Sequence, residues 1–317
     1  MKYNSPFKKL TMYNNRPYSN RIYTVFLLML LFTAFYSCKD SNETRITILH
    51  TNDLHSHIEP LPENHGRFPG MGGFARISTI INQIRENTEH VLVFDSGDMF
   101  QGTPYFNFYE GSLELRLMSK MGYDAATLGN HEFDNGIESL SNQLKYASFP
   151  FISTNYDVEG TLLEGKIKTY HIIETGGVRI GIIGLGVDPD GLVAPHHVDG
   201  LKWLDPVATG DKVAELLKTQ YHCDIVIALS HLGYDMGEDR FDDLKVAAQT
   251  HHIDVILGGH THRFMEEPLF VTNLSGKEVI IWQSGQNGVQ MGRLDFVFRK
   301  GKQTELVNSS AIAIKLD

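Results

Sequence analysis

The sequence predicts a mixed α/β fold with helices packed outside its sheets, and three observations carry that prediction. Apolar strands alternate with amphipathic helices between residues 46 and 152, whereas hairpins dominate after residue 167. Five short apolar runs each end in a turn that delivers His, Asp or Asn side chains. No Pro/Ser-rich linker and no internal repeat interrupts residues 45–317. One domain is therefore expected over that span, and 42% apolar content is enough to build its core.

The elements follow in order. Ile46-Thr47-Ile48-Leu49 reads as a buried strand and leads to Asp53-Leu54-His55. A loop of Pro, Gly and polar residues spans 59–73. Phe74, Ile77, Ile80, Ile81 and Ile84 then recur at helical spacing, predicting an amphipathic helix over 74–87. Val91-Leu92-Val93-Phe94 leads to Asp95-Ser96-Gly97-Asp98. Leu113, Leu117, Met118 and Met121 mark a second helix, which Gly122 ends. The run Ala125–Leu128 leads into Gly129-Asn130-His131-Glu132-Phe133-Asp134, where an amide, an imidazole and a carboxylate appear together. Strands of α/β sheets carry chemistry just beyond their carboxyl ends. Ile137, Leu140 and Leu144 give a third helix, followed by a short strand near Phe151-Ile152.

In the second half, residues 167–173 and 178–183 flank Thr175-Gly176-Gly177, a hairpin signature. Asp205-Pro206 opens a helix, with Asp as cap and Pro in the first turn. Strand 225–229 leads to Ser230-His231. A helix is expected near 239–250, and strand 253–257 leads to Gly258-Gly259-His260-Thr261-His262. Strands at 279–282, 294–298 and 311–316 close the chain, with Gly301 in the last turn.

The N-terminus reads as an export segment over residues 1–37. Lys2, Lys8, Lys9, Arg16 and Arg21 precede an apolar stretch from Ile22 to Tyr36, the layout of a secretory signal. That stretch is shorter than the roughly 20 residues a spanning helix needs. Met12 is an alternative start. Cys38 follows Ser37 and precedes a polar tether through residue 44, which resembles a bacterial lipoprotein signal with Cys38 as the lipidated residue. An ordinary signal peptide or an uncleaved anchor is the blander alternative. Phe35 and Tyr36 are bulkier than the usual residues before such a cysteine. The layout places the chain in a bacterial cell envelope or periplasm, lipid-anchored to a membrane. Cys223 is the other cysteine and is expected to be packing, so no intrachain disulfide forms if Cys38 is lipidated. Residues 38–317 carry 23 Lys and Arg against 38 Asp and Glu, a net charge of −15. That balance argues against a nucleic-acid polymer as partner, because a phosphate backbone needs a basic footprint. A small phosphorylated substrate needs only a local cationic site, which metal ions can supply.

Asp53, His55, Asp98, Asn130, His231, His260 and His262 offer mixed oxygen and imidazole ligands. The mixture suits Zn²⁺, Mn²⁺ or Fe²⁺ and tells against an all-oxygen Ca²⁺ cage. Seven ligands exceed one tetrahedral zinc and suit two divalent ions sharing a bridging carboxylate. Any one of these residues alone is more often a cap or a surface group; the set is what points to metal.

Asp53-x-His55, Gly97-Asp98, Gly129-Asn130-His131-Glu132, the His231 segment and Gly259-His260-x-His262 resemble, in order, the motif series of calcineurin-like metallophosphatases. The longer forms Thr51 to His55, Asp95 to Asp98 and Gly129 to Asp134 are similar to the bacterial 5′-nucleotidase branch. So is Gln283-Ser284-Gly285 followed by Met291-Gly292-Arg293-Leu294. The resemblance covers residues 46 to about 298. It implies a four-layer fold, two mixed β-sheets packed face to face with flanking helices. It assigns Asp53, His55 and His262 to one metal and Asn130, His231 and His260 to the other, with Asp98 bridging. Asn130 and His131 would meet the substrate phosphate. His131 would stabilise the transition state or protonate the leaving oxygen, with Asp134 orienting it. The implied reaction is hydrolysis of nucleotide phosphate monoesters through in-line attack by metal-bound hydroxide.

Two other readings stay open: a phosphodiesterase acting on 2′,3′-cyclic nucleotides or UDP-sugars, and a non-catalytic metal- or nucleotide-binding lipoprotein. Long-form bacterial 5′-nucleotidases carry a further domain that supplies the nucleobase pocket, and Asp317 stands where it would begin. A separate chain supplying it, or broad substrate acceptance, is the expectation. Glu132 is expected to be structural and Asp95 to support the site by hydrogen bonding. Arg263 and Arg293 are expected at surface or structural ion pairs. Phe100, Phe106 and Phe108 are expected in the core.

Overall fold

The structure is a computed structural model that describes residues 1–3 and 43–315. The expected export segment after residue 3, Cys38 and all but residues 43 and 44 of the expected tether lie outside the described residues. The chain divides into two units, Met1–Glu43 and Thr44–Asp317, and the fold described is that of the second. Among the described residues, no helix is long and apolar enough to cross a membrane.

In chain order the elements are β1 (Glu43–Thr51), α1 (Phe74–Asn87), β2 (Val91–Asp95), α2 (Pro104–Tyr109), α3 (Ser112–Met121), β3 (Ala125–Thr127), α4 (Gly136–Gln143), β4 (Phe151–Ile152), β5 (Tyr156–Asp157), β6 (Ile167–Lys168), β7 (Tyr170–Thr175) and β8 (Val178–Gly186). They continue with β9 (Lys202–Trp203), α5 (Pro206–Thr219), β10 (Ile225–His231), α6 (Asp243–Gln249), β11 (Val255–Gly258), β12 (Leu269–Thr272), β13 (Glu278–Gln283), β14 (Gln290–Arg299) and β15 (Glu305–Ala313). One seven-stranded sheet runs β15-β14-β1-β2-β3-β4-β6, and a six-stranded sheet runs β12-β13-β11-β10-β8-β7. Both mix parallel and antiparallel pairs.

Period-two patterning explains the layers. Ile46, Ile48, Leu92 and Phe94 of the first sheet join Ile225, Ile227, Leu229, Val255 and Leu257 of the second in one buried cluster. The alternate residues Leu49, Val93 and Ala126 face the other way, onto Ile77 and Ile81 of α1 and Leu115 and Met118 of α3. Val226, Ala228 and Ile256 face Ala214 and Leu217 of α5 and Val246 of α6. Strands buried on both faces read as continuous apolar runs. The result is helices, sheet, sheet, helices, the predicted four-layer arrangement.

Local chemistry sets the element ends. Asp205 caps α5 by accepting from the Val207 and Ala208 amides, with Pro206 in the first turn. Gly176 and Gly177 both take positive φ, 57° and 76°, as a two-residue hairpin between β7 and β8 requires.

Several expectations are corrected. The strand expected over 167–173 is two strands: β6 pairs with β4 in the first sheet, while β7 pairs with β8 in the second. The helix near 239–250 is confined to Asp243–Gln249, because Asp242 is its cap. Phe100 and Phe106 are buried, but Phe108 is 80% exposed on the short α2. Of α2, β12 and the small β5–β9 sheet, none was expected; all are brief and weakly patterned.

Candidate active site

The carboxyl ends of parallel strands from both sheets meet at one place. The loops after β1 and β2 stay joined beyond their strands. Asp53 N donates to Gly97 O (2.9 Å), His55 N to Asp98 O (3.0 Å) and Ser56 N to Met99 O (3.0 Å). This irregular pairing puts Asp53, His55, Ser56 and Asp98 in the left-handed region, with φ between 47° and 54°. His260 and His262, after β11, are also left-handed, at 70° and 52°. Non-glycine residues there cost on the order of 1–3 kcal/mol each and persist only where the surroundings hold them. After β3 the chain passes so close to Asp98 that a Cβ on Gly129 would collide with its Oδ1.

Asp53 Oδ1 lies 3.1 Å from His262 Nε2 and 3.8 Å from His55 Nε2, and those two nitrogens are 3.0 Å apart. Asp98 Oδ2 lies 3.0 Å from His231 Nε2, which is 3.9 Å from Asp53 Oδ1. Ligand atoms of Asp53, His55 and His262 fall within 4.8 Å of one another, as do those of Asp98, His231 and His260. Asp98 also groups with His55 and His131, so it lies between the two sets. Asp53, Asp98, Asn130 and His231 are buried.

The donor set fits metal. Asn130 Oδ1 is buried with no hydrogen-bond partner, and such an orphan is costly unless something else meets it, while His231 Nε2 faces the carboxylates of Asp98 and Asp53. Spacings of 3.0–3.8 Å within each set lie about the roughly 3.4 Å edge of a tetrahedron with bonds near 2.1 Å. His231 Nδ1 is spent on Ser96 O at 2.7 Å, which turns Nε2 inward.

Electrostatics point the same way. Burial lowers the His231 imidazole, but the charge and proximity of Asp98, with Asp53, overcome it and push it up to about 10. Burial opposes ionisation of Asp98, yet His231 holds its carboxyl below the usual carboxylate range. The potential that favours an imidazolium there also favours a divalent cation. Burial and the charge on His231 lower His260 to about 4, leaving a neutral imidazole suited to ligation. His131 Nδ1 lies 2.8 Å from Asp134 Oδ2. Burial opposes its protonation, but the Asp134 hydrogen bond and the charges of Asp98, Asp134 and Glu132 push it up to about 9.

Glu132 has a larger part than sequence reasoning gave it. Its carboxylate, 2% exposed, accepts from Gly129 N (2.6 Å), Asp98 N (2.9 Å), Met99 N (3.0 Å) and Phe100 N (3.2 Å). It therefore ties the Asp98 loop to the turn carrying Asn130 and His131. Asp95 accepts from Thr51 Oγ1 (2.6 Å) and Gly97 N (3.0 Å), shaping the same loop. Arg263 stacks on Tyr234 and Arg293 pairs with Asp295, the bland roles expected of them. His251 and His252 both pair with Asp211, away from the ligand set.

Residues 46–264 match the model of the calcineurin-like phosphoesterases, and the chain belongs to that family. Within it the chain is 34% identical over 295 residues to snake venom 5′-nucleotidase of Gloydius brevicauda, covering 86% of this chain and 49% of the relative. It is 33% identical over 301 residues to 5′-nucleotidase of Vibrio cholerae, covering 86% and 52%. Among solved structures it is similar to a 5′-nucleotidase precursor from Thermus thermophilus, with a TM-score of 0.75, 32% identity and coverage of 86% and 55%. The NAD nucleotidase of Haemophilus influenzae gives a TM-score of 0.75 at 27% identity, covering 86% and 51%. The chain spans about half the length of the curated relatives it matches.

Proposed function

We propose that this chain is a dinuclear-metal phosphoesterase that hydrolyses phosphate monoesters of nucleotides. The observation that carries the reading is the convergence of two largely buried ligand sets about Asp98, with the His131–Asp134 pair beside them. Asp53, His55 and His262 would hold one divalent ion, and Asn130, His231 and His260 the other, with Asp98 shared. When bound, such ions neutralise phosphate charge and acidify water at neutral pH. The chain's own groups do the rest. Asn130 orients the phosphate, and His131 donates a proton to the leaving ester oxygen. Asp134 holds the Nδ1 proton of His131, so that Nε2 presents the acidic one. The family's divalent metals can be Zn²⁺, Mn²⁺ or Fe²⁺ at this ligand set, because availability selects among them.

Similarity to proteins named 5′-nucleotidases supports a nucleotide as substrate. Likeness to a protein named NAD nucleotidase favours one second reading, cleavage of a nucleotide pyrophosphate such as a UDP-sugar. The basic-then-apolar leader supports export to the cell envelope, with lipid on Cys38. Intact-mass measurement of membrane-extracted protein tests that; an unmodified Cys38 would refute it. Substrate class is tested by phosphate release from AMP and p-nitrophenyl phosphate, and from 2′,3′-cyclic AMP and UDP-glucose with a coupled phosphatase. AMP is expected to be the best substrate. Release from none of the four would overturn the enzymatic reading and leave a metal-binding protein.

A further inference from the structure

The turn between His260 and His262 poses a question that the metal ligands do not answer: what holds two left-handed histidines, one residue apart, in place? Both φ values are positive, and such conformations persist only when the surroundings impose them. The turn supplies one imidazole to each proposed ion. We propose that Gln283 is a positioning residue for the metal centre. Clamped by Asp243, its amide fixes the turn Gly259–Arg263 that carries His260 and His262. This rests on the reading of those histidines as metal ligands.

Gln283 ends β13, next to β11 in the sheet, and is fully buried. Its Oε1 accepts from Thr261 Oγ1 at 2.9 Å and from Arg263 N at 3.2 Å. Its Nε2 donates to Gly259 O at 2.7 Å and to Asp243 Oδ2 at 3.3 Å. An amide has two donors and two acceptor lone pairs, and all four are used. The orientation is fixed, since a flipped amide would set its oxygen against a carbonyl and a carboxylate. Three of the four bonds go to the one turn, bracketing His260 and His262.

Asp243 is equally buried, and its Oδ1 accepts from Ser230 Oγ at 2.5 Å. Ser230 precedes His231. A single network therefore spans the ends of β10, β11 and β13 and the first turn of α6, and it touches the backbone neighbourhood of all three C-terminal histidines. Neither Gln283 nor Asp243 reaches the ligand atoms, so neither is catalytic; they act through the backbone that aims the ligands. Groups that orient metal ligands in this way typically change affinity by tenfold to a hundredfold when removed.

The test uses purified protein stripped with chelator, with Mn²⁺ affinity measured by competition against a chromophoric chelator. Gln283→Leu removes all four bonds. Gln283→Glu keeps the two acceptor contacts but cannot donate to Gly259 or Asp243. Both are expected to bind Mn²⁺ roughly tenfold to a hundredfold more weakly than wild type, with metal-free circular dichroism unchanged. A merely structural role would lower metal-free thermal stability and leave the affinity of the folded fraction alone. If neither variant folds, Thr261→Val, which deletes one bond to Oε1, must still weaken binding severalfold. Wild-type affinity in the folded variants would overturn the positioning role while leaving the metal site standing. Failure of wild-type protein to bind Mn²⁺ would instead overturn the ligand assignment, and this inference with it.

Discussion

His131 makes one hydrogen bond that decides its chemistry, and its removal gives the sharpest expectation for a single side chain. Nδ1 is held by Asp134, which leaves Nε2 for the proposed proton transfer, and the Asp134 hydrogen bond with the nearby carboxylate charges outweighs burial and pushes the ring up to about 9. His131→Ala should therefore lower kcat by roughly 10²–10⁴ while metal content, read by elemental analysis, stays at the wild-type level. Unchanged turnover would remove His131 from the mechanism. Asp134→Asn takes away the partner that raises the His131 pKa. An acid must be protonated to act, so the alkaline fall of kcat/KM should move to lower pH in that variant. Glu132→Gln tests the other motif residue. Four backbone donors surround its carboxylate, and an amide would turn donors toward some of them. A loss of roughly 2–3 kcal/mol in stability is expected on chemical denaturation.

His50 extends the residue scale to pH. It is fully buried on β1, near Gly258 O and Ser284 Oγ, and burial lowers it to about 4. The unfolded chain takes up a proton near pH 6.5 that the folded protein refuses until about 4. Stability is thus fully present above pH 6.5 and is lost as pH falls from there toward 4. Metal-free protein should lose roughly 2 kcal/mol between pH 7.5 and 5 from this group, and His50→Gln should show a correspondingly flatter profile. Parallel profiles would show that His50 does not govern the slope.

At the scale of elements, the parallel strands do two jobs: their middles make the core and their ends make the site. Ile227 sits in the middle of β10, paired with Ile182 of β8 and Val255 of β11, between the two sheets. Ile227→Ala should cost about 2–5 kcal/mol and lower the melting temperature by roughly 5–15 °C. The strands, and the gathering of the seven proposed ligand residues at their ends, were legible because each apolar run stops at a turn rich in ligand-type residues. The hydrogen-bonding supports were not. Glu132 reaches the Asp98 loop 34 residues away, and Gln283 reaches Asp243 40 residues away, so only the folded chain brings them together. The split of β6 from β7 was hidden for a related reason. One apolar-rich run crosses from the first sheet to the second at Thr169, and alternation alone does not report a change of sheet. Phe108 shows the converse error, an aromatic assigned to the core that faces solvent.

At the scale of the whole molecule, two mixed sheets stacked face to face bring strand ends that are far apart in sequence onto one centre. The first sheet contributes Asp53, His55, Asp98 and Asn130 after β1, β2 and β3. The second contributes His231, His260 and His262 at the ends of β10 and β11. Neither sheet alone holds a complete set, since each proposed ion takes ligands from both. Against the acidic balance of residues 38–317, two bound ions would make the proposed centre a local cationic site for a phosphate. The most direct test of the account is a titration of Mn²⁺ into chelator-stripped protein, with bound metal and AMP hydrolysis followed together. A two-ion centre requires no hydrolysis in the stripped protein and full activity only as the second equivalent binds. Full activity at one equivalent, or hydrolysis that survives complete removal of metal, would contradict it.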